Sequence, residues 1–134
     1  MIIVPGRVSG APTDKRGPTF TGEVWADPVL PTTDDVTINT VWFPPAGRTF
    51  WHHHERGQIL HVVAGSGLIC SHGERPRRLR PGDVVWVPPG ERHWHGGAPD
   101  SFLIHLAISL GTTAWAQEVA EAEYSASPDD EDRR

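Results

Sequence analysis

Short apolar runs, some of them alternating with polar positions, cover most of the chain, and Gly or Pro residues separate them. Residues 21–26, 36–43, 50–54, 58–64, 67–71, 77–79, 83–87, 93–96 and 102–109 read as short strands bounded by turn residues. A Pro-bounded connection is expected over residues 27–31, and tight turns at 65–67 and 71–74. So many short strands predict an all-β fold, a closed or two-sheet antiparallel barrel spanning residues 21–111. Residues 1–20 read as an N-terminal arm, with one apolar patch at Ile2-Ile3-Val4. Residues 112–124 turn helix-like, with Trp115 and Val119 four apart, and form a C-terminal packing segment, a short helix or an extended piece. Residues 125–134 are acidic and polar and read as a disordered tail.

Strand parity sorts the histidines. In an extended run His52 and His54 point to one face and His53 to the other. The turn at Glu55-Arg56-Gly57 then returns Gln58 toward the same region. Two imidazoles and an amide oxygen suit a divalent first-row metal, and residues 88–95, with His93 and His95, offer a fourth ligand. Leu103, His105, Ala107 and Ser109 share one face of their strand, so an inward His105 would be desolvated and neutral, fit for a proton-transfer base. His95, two residues after His93, faces the same way and is the other candidate proton carrier. His53 and His61 fall on outer faces, and so does Trp94, which suits a sheet or subunit contact. Phe50, Leu60 and Val62 share faces with the candidate ligands and would line an apolar chamber for a hydrophobic or aromatic small molecule.

Composition narrows the setting. The 134 residues make one domain, and a net charge of −5 gives no general attraction to nucleic acid or anionic membrane. A lone cysteine, Cys70, excludes an internal disulfide and suits a reducing compartment. No apolar run approaches the ~20 residues of a membrane span, the N-terminus lacks a signal-peptide pattern, and no helix-turn-helix is evident, so a cytoplasmic protein is expected. The four arginines at 75, 77, 78 and 80 read as the outer face of a hairpin.

Two segments resemble the sequence motifs of the cupin superfamily. The first runs Gly47…His52-x-His54…Gln58…Gly65, with one residue fewer than usual between Gly47 and His52 and with Gln58 in place of an acidic ligand. The second, Gly-Asp-x4-Pro-x-Gly-x2-His, fits Gly82 to His93 without a gap. The resemblance implies a single cupin-type double-stranded β-helix (jelly roll) with His52, His54, Gln58 and His93 as ligands of one divalent transition metal. Manganese is the first choice, with iron, zinc, nickel or cobalt also admissible. Four neutral ligands leave the ion its full charge, a strong Lewis acid toward an anion or alkoxide.

A narrower similarity covers about residues 22–124. Trp51-His52-x-His54-x3-Gln58, Pro81 to Trp86, Gly90 to Gly96 and His105-Leu-Ala-Ile are similar to small bacterial cupins that include manganese-dependent hydroxynitrile lyases of the (R)-mandelonitrile type. That similarity implies cleavage of a cyanohydrin, with His105 as base and His95 assisting; Ser109 stands where those lyases are expected to carry glutamine. An oxygen-using dioxygenase or oxidase, a polyketide-cyclase or isomerase type of enzyme, and a non-catalytic binding cupin are the other readings. Cupins of this size usually pair, so a homodimer is expected, with Ile2-Ile3-Val4 and Trp25 as a possible edge.

Overall fold

The computed structural model describes residues 1–129. The strands are β1 (Asp14–Lys15), β2 (Phe20–Thr21), β3 (Trp25–Thr33), β4 (Val36–Phe43), β5 (Arg48–Thr49), β6 (His52–His54) and β7 (Gln58–Gly65), of which β1 and β5 were not expected. They continue as β8 (Gly67–Ser71), β9 (Arg77–Leu79), β10 (Val84–Val87), β11 (His93–Gly97), β12 (Leu103–Leu110) and β13 (Thr113–Trp115), and the chain then makes one helical turn, α1 (Glu121–Tyr124). One sheet has the order β1-β3-β4-β12-β7-β10; the other runs β13-β6-β11-β5-β2, with β8 bridging β11 and β9. All pairings are antiparallel. The fold is an all-β jelly roll, and no described helix is long and apolar enough to cross a membrane.

The inward positions of the first sheet form the main core: Val24, Ala26, Val41, Phe43, Leu60, Val62, Leu103 and Ala107, joined by Leu79 from β9. Residues 27–31, expected as a connection, lie instead within β3. Pro28 and Pro31 are tolerated because β1 pairs only with Trp25 and Ala26, so the rest of β3 is an edge strand and loses no ladder bond to the missing N–H groups. Asp34 and Asp35, with φ of 48° and 65°, make the two-residue hairpin loop that closes β3 onto β4. Gly96 is required in β11, where a Cβ would collide with the Gly47 carbonyl and keep β5 from docking.

The C-terminal packing segment is short, extended for most of its length and helical only at Glu121–Tyr124. Edge strand β6 offers free backbone groups, and residues 113–115 take them as β13, opposite His54, His53 and His52. Trp115 therefore packs on Phe20 and His52, while Val119 packs elsewhere. Residues 116–124 cross the back of the second sheet as a strap. Beneath it lies a second core of Trp51, Leu68, Cys70, Trp94, Val119 and Tyr124. Trp94 does face away from His93 and His95, yet the strap buries it fully, so it makes no outer contact.

Arg48 locks the strap. Buried to 5% exposure, it donates to the Ala46 and Val119 carbonyls, pairs with Glu121 at 3.3 Å and lies 4.4 Å over the Tyr124 ring. The Tyr124 hydroxyl donates to Gly97 O at 2.7 Å. Beyond the strap, residues 128 and 129 lie against the turn before β9. The Asp129 N–H donates to Pro76 O, and Arg75 donates to Pro128 O. Residues 130–134 of the expected tail lie outside the described residues.

Replacing Tyr124 by Ala removes the ring over Arg48 and the bond to Gly97 while uncovering Trp94. The expected cost is about 3–5 kcal/mol in denaturant-melting experiments; a loss under about 1 kcal/mol would show that the strap does not hold the second core.

Candidate metal centre

Three histidines are turned inward by their backbones. The Nδ1 of His52 is 2.9 Å from Phe50 O, and that of His93 is 3.0 Å from Glu91 O. A carbonyl can only accept, so each Nδ1 carries the ring proton and each Nε2 is left as a bare lone pair. His54 Nδ1 meets the Thr113 hydroxyl at 3.0 Å, and its Nε2 is buried without a partner. Gln58 donates its amide N–H to Ser109 Oγ at 3.0 Å, which aims Oε1 at His93 Nε2, 3.1 Å away. Two acceptors thus face one another at hydrogen-bond distance with no proton between them. A cation between these groups resolves that repulsion, so the donor set fits a metal.

The rings crowd. His52 and His93 have centroids 4.2 Å apart, with His54 on one side and His95 on the other, 5.0 Å and 5.3 Å from His52. The ring nitrogens of His52, His93 and His95 all lie within 4.8 Å of one another, a second arrangement able to hold a metal ion. Strands β6 and β11 pair directly at His52–His93, which is why residues far apart in sequence meet.

His95 and His105 form a pair, with His105 Nε2 2.9 Å from His95 Nδ1. His95 reaches the cavity wall, and its Nε2 has no hydrogen-bond partner. His105 is completely buried behind it against Phe43. Burial holds all five imidazoles neutral. It pulls His54 and His105 down to about 4, lowers His93, and puts His52 and His95 well below the ordinary histidine range.

The centre opens into a cavity of about 320 Å3. His52, His54, Gln58, His95 and Ser109 reach it. Phe50, Leu60 and Val62, expected in its wall, do not. Leu60 and Val62 are sealed in the core behind Gln58, and Phe50 precedes β6 at a bend, held by its N–H to Thr19 O. The wall is more polar than the expected apolar chamber. Thr37, Asn39, Val41 and Phe43 come from the inner face of β4, Thr113 and Trp115 from β13, and Arg16, Thr19 and Phe20 from the arm. The parity of β4 carried a signal for the first group. Nothing in the arm's composition marked the last.

Comparison with known proteins gives the family of the fold. A family model described as "Cupin domain" matches residues 39–104. The chain is 41% identical over 123 residues to an (R)-mandelonitrile lyase of Granulicella tundricola, covering 86% of this chain and 94% of the relative. It is 31% identical over 68 residues to an acireductone dioxygenase of Bacillus pumilus, covering 48% of this chain and only 39% of the dioxygenase. A solved structure of a cupin-like protein from Thermotoga maritima superposes with a TM-score of 0.79 at 38% identity, covering 87% of this chain and 94% of that one.

Acid should unfold the metal-free protein. A histidine whose folded pKa lies below its unfolded value binds its proton more tightly in the unfolded chain, so stability present above pH 6.5 is lost as pH falls toward 4. His54 and His105 should each withdraw on the order of 3 kcal/mol across that window. A melting temperature that stays flat from neutrality to pH 4 in chelator would contradict the burial of neutral imidazoles.

Proposed function

The chain belongs to the cupin family, and we propose on that premise that it is a metal-dependent lyase of the hydroxynitrile-lyase kind. The reading rests on the match to a mandelonitrile lyase along nearly the whole of both chains. His52, His54, Gln58 and His93 would hold one divalent ion, manganese by preference, with Ser109 orienting the Gln58 amide. When bound, the ion supplies Lewis acidity toward a substrate hydroxyl or nitrile, undiminished by any anionic ligand.

The protein's own part is to place and move a proton. His95 presents Nε2 to the cavity; with its Nδ1–H donated to His105 Nε2 behind it, the His95 Nε2 would be the basic nitrogen. The hydroxyl proton passes to His95 Nε2, the C–O bond becomes a carbonyl, and the C–C electron pair leaves with cyanide. The same nitrogen then returns the proton, giving hydrogen cyanide and an aldehyde. His95 rather than His105 is thus the group that touches substrate, and His105 is a positioning residue. Phe20, Phe43 and Trp115 supply aromatic wall for a hydrophobic or aromatic substrate. A cytoplasmic setting agrees with the lone cysteine, whose thiol burial pushes up to about 11.

The second reading, an oxygen-using dioxygenase, draws on the shorter match to acireductone dioxygenase and on the His52–His93–His95 arrangement. Three variants separate the two sets of ligands. His54→Ala should lose the metal, and Ser109→Ala should weaken its binding roughly tenfold. His95→Ala should keep the metal and lose cyanide release from mandelonitrile at least about a hundredfold. Metal loss in His95→Ala with retention in His54→Ala would reverse the assignment; oxygen uptake without cyanide would overturn the lyase.

A homodimer fits the outer surface of the first sheet. Trp25, Trp42, Val63, Val84 and Trp86 stand exposed there, around half-buried Ile104, Leu106 and Ile108. Sedimentation should give a dimer at micromolar concentration and a monomer for Trp42→Glu combined with Trp86→Glu. A wild-type monomer would remove the proposal.

A further inference from the structure

Charge around the cavity is unbalanced. Among the described residues that line it there is one arginine, Arg16, and no Asp or Glu at all. This stands out in a chain whose net charge is −5. The candidate metal ligands are neutral as well, so nothing in the wall offsets the guanidinium or a divalent ion.

Arg16 is half-buried, and its guanidinium makes no hydrogen bond or ion pair with another described residue. Three acids of neighbouring segments are already engaged. Asp27 accepts from Arg7 at 3.0 Å and from Thr13 at 2.6 Å; Glu23 pairs with Lys15 at 3.4 Å; Glu118 accepts from Thr21 at 3.0 Å. The backbone beneath Arg16 is fixed, because Asp14 and Lys15 pair with β3 and the Arg16 N–H donates to Val24 O at 2.7 Å. A guanidinium at the wall of a cavity without a counter-ion is an anion receptor, and its fork matches a carboxylate. Asn39, Thr37 and Thr49 add neutral hydrogen-bonding groups to the same wall, and Phe20 and Trp115 add aromatic faces.

We propose that the substrate carries a carboxylate which Arg16 binds, with its hydroxyl or carbonyl end at the histidine cluster and an unsaturated or aromatic body between. The inference rests on reading this cavity as the substrate site. It moves the preferred substrate away from neutral mandelonitrile toward a carboxylated relative.

Calorimetric titration tests it on the metal-free and the manganese-loaded protein, with 4-(hydroxymethyl)benzoate and its neutral counterpart benzyl alcohol as probes. The benzoate should bind about tenfold tighter or better at low ionic strength, in both forms, and the advantage should shrink with salt. Arg16→Gln should abolish the preference and Arg16→Lys should keep part of it. Arg80→Gln, which removes the same charge from an exposed position, should leave it unchanged. Equal binding of the two probes by the wild type, or a preference surviving in Arg16→Gln, overturns the proposal. Cyanide release from mandelonitrile and from 4-carboxymandelonitrile is measured in parallel. An Arg16-dependent preference without cyanide from either nitrile would sink the lyase reading and leave the anion site standing. Cyanide from mandelonitrile with no preference for the carboxylated probes would do the reverse.

Discussion

Two backbone carbonyls, Phe50 O and Glu91 O, set the electrostatics of the whole interior. By holding the Nδ1 protons of His52 and His93 they leave two bare Nε2 lone pairs pointing at each other's neighbourhood, and the Ser109 hydroxyl turns an amide oxygen toward the same point. Mutual repulsion of buried acceptors is costly. The rest of the fold supplies what that arrangement needs: strands on both sides and a direct β6–β11 pairing.

The second sheet carries the greater share of this burden, and it is the thinner one. Strands β5 and β6 are only two and three residues long, too short to hold histidines in place by their own ladders. The strap compensates. Arg48 from β5 reaches into it, Trp51 Nε1 donates to Glu123 just before β6, and Tyr124 ties it to β11. Each strand that bears a candidate ligand on this side is therefore backed by a contact from the last part of the chain. A buried arginine is an expensive fastener, and its two carbonyl bonds and stacked tyrosine are what make it tolerable.

Where side-chain direction depends only on parity, the sequence was legible. It separated His53 and His61 from His52, His54 and Gln58, and most strand limits were readable to within a residue. Phe50 misled because the strand is interrupted at Trp51, which breaks the parity count. Leu60 and Val62 face inward as parity requires, but inward at their depth means core and not cavity, a distinction that depends on how far β7 runs below Gln58. Pro28 and Pro31 looked like a break because the edge position that excuses them is a property of the sheet. Trp115 and Val119 have helical spacing by coincidence; the open edge of β6 decides their fate. Parity put His95 and His105 on inner faces alike; that His95 stands at the cavity and His105 lies buried behind it is a matter of packing depth.

The origin of the cavity's parts along the chain has a consequence for how such a protein can change over generations. The candidate ligands lie between residues 52 and 93, on the paired strands β6 and β11 and on β7 of the facing sheet, whereas Arg16 and Phe20 come from the beginning of the chain and Thr113 and Trp115 from near its end. A substitution at Arg16 can alter what the cavity admits without touching an imidazole, whereas one at Thr113 or Trp115 also reaches His54 or His52. The two ends of the chain are thus unequal places for the wall to change: the first is loosely coupled to the histidines, the second directly.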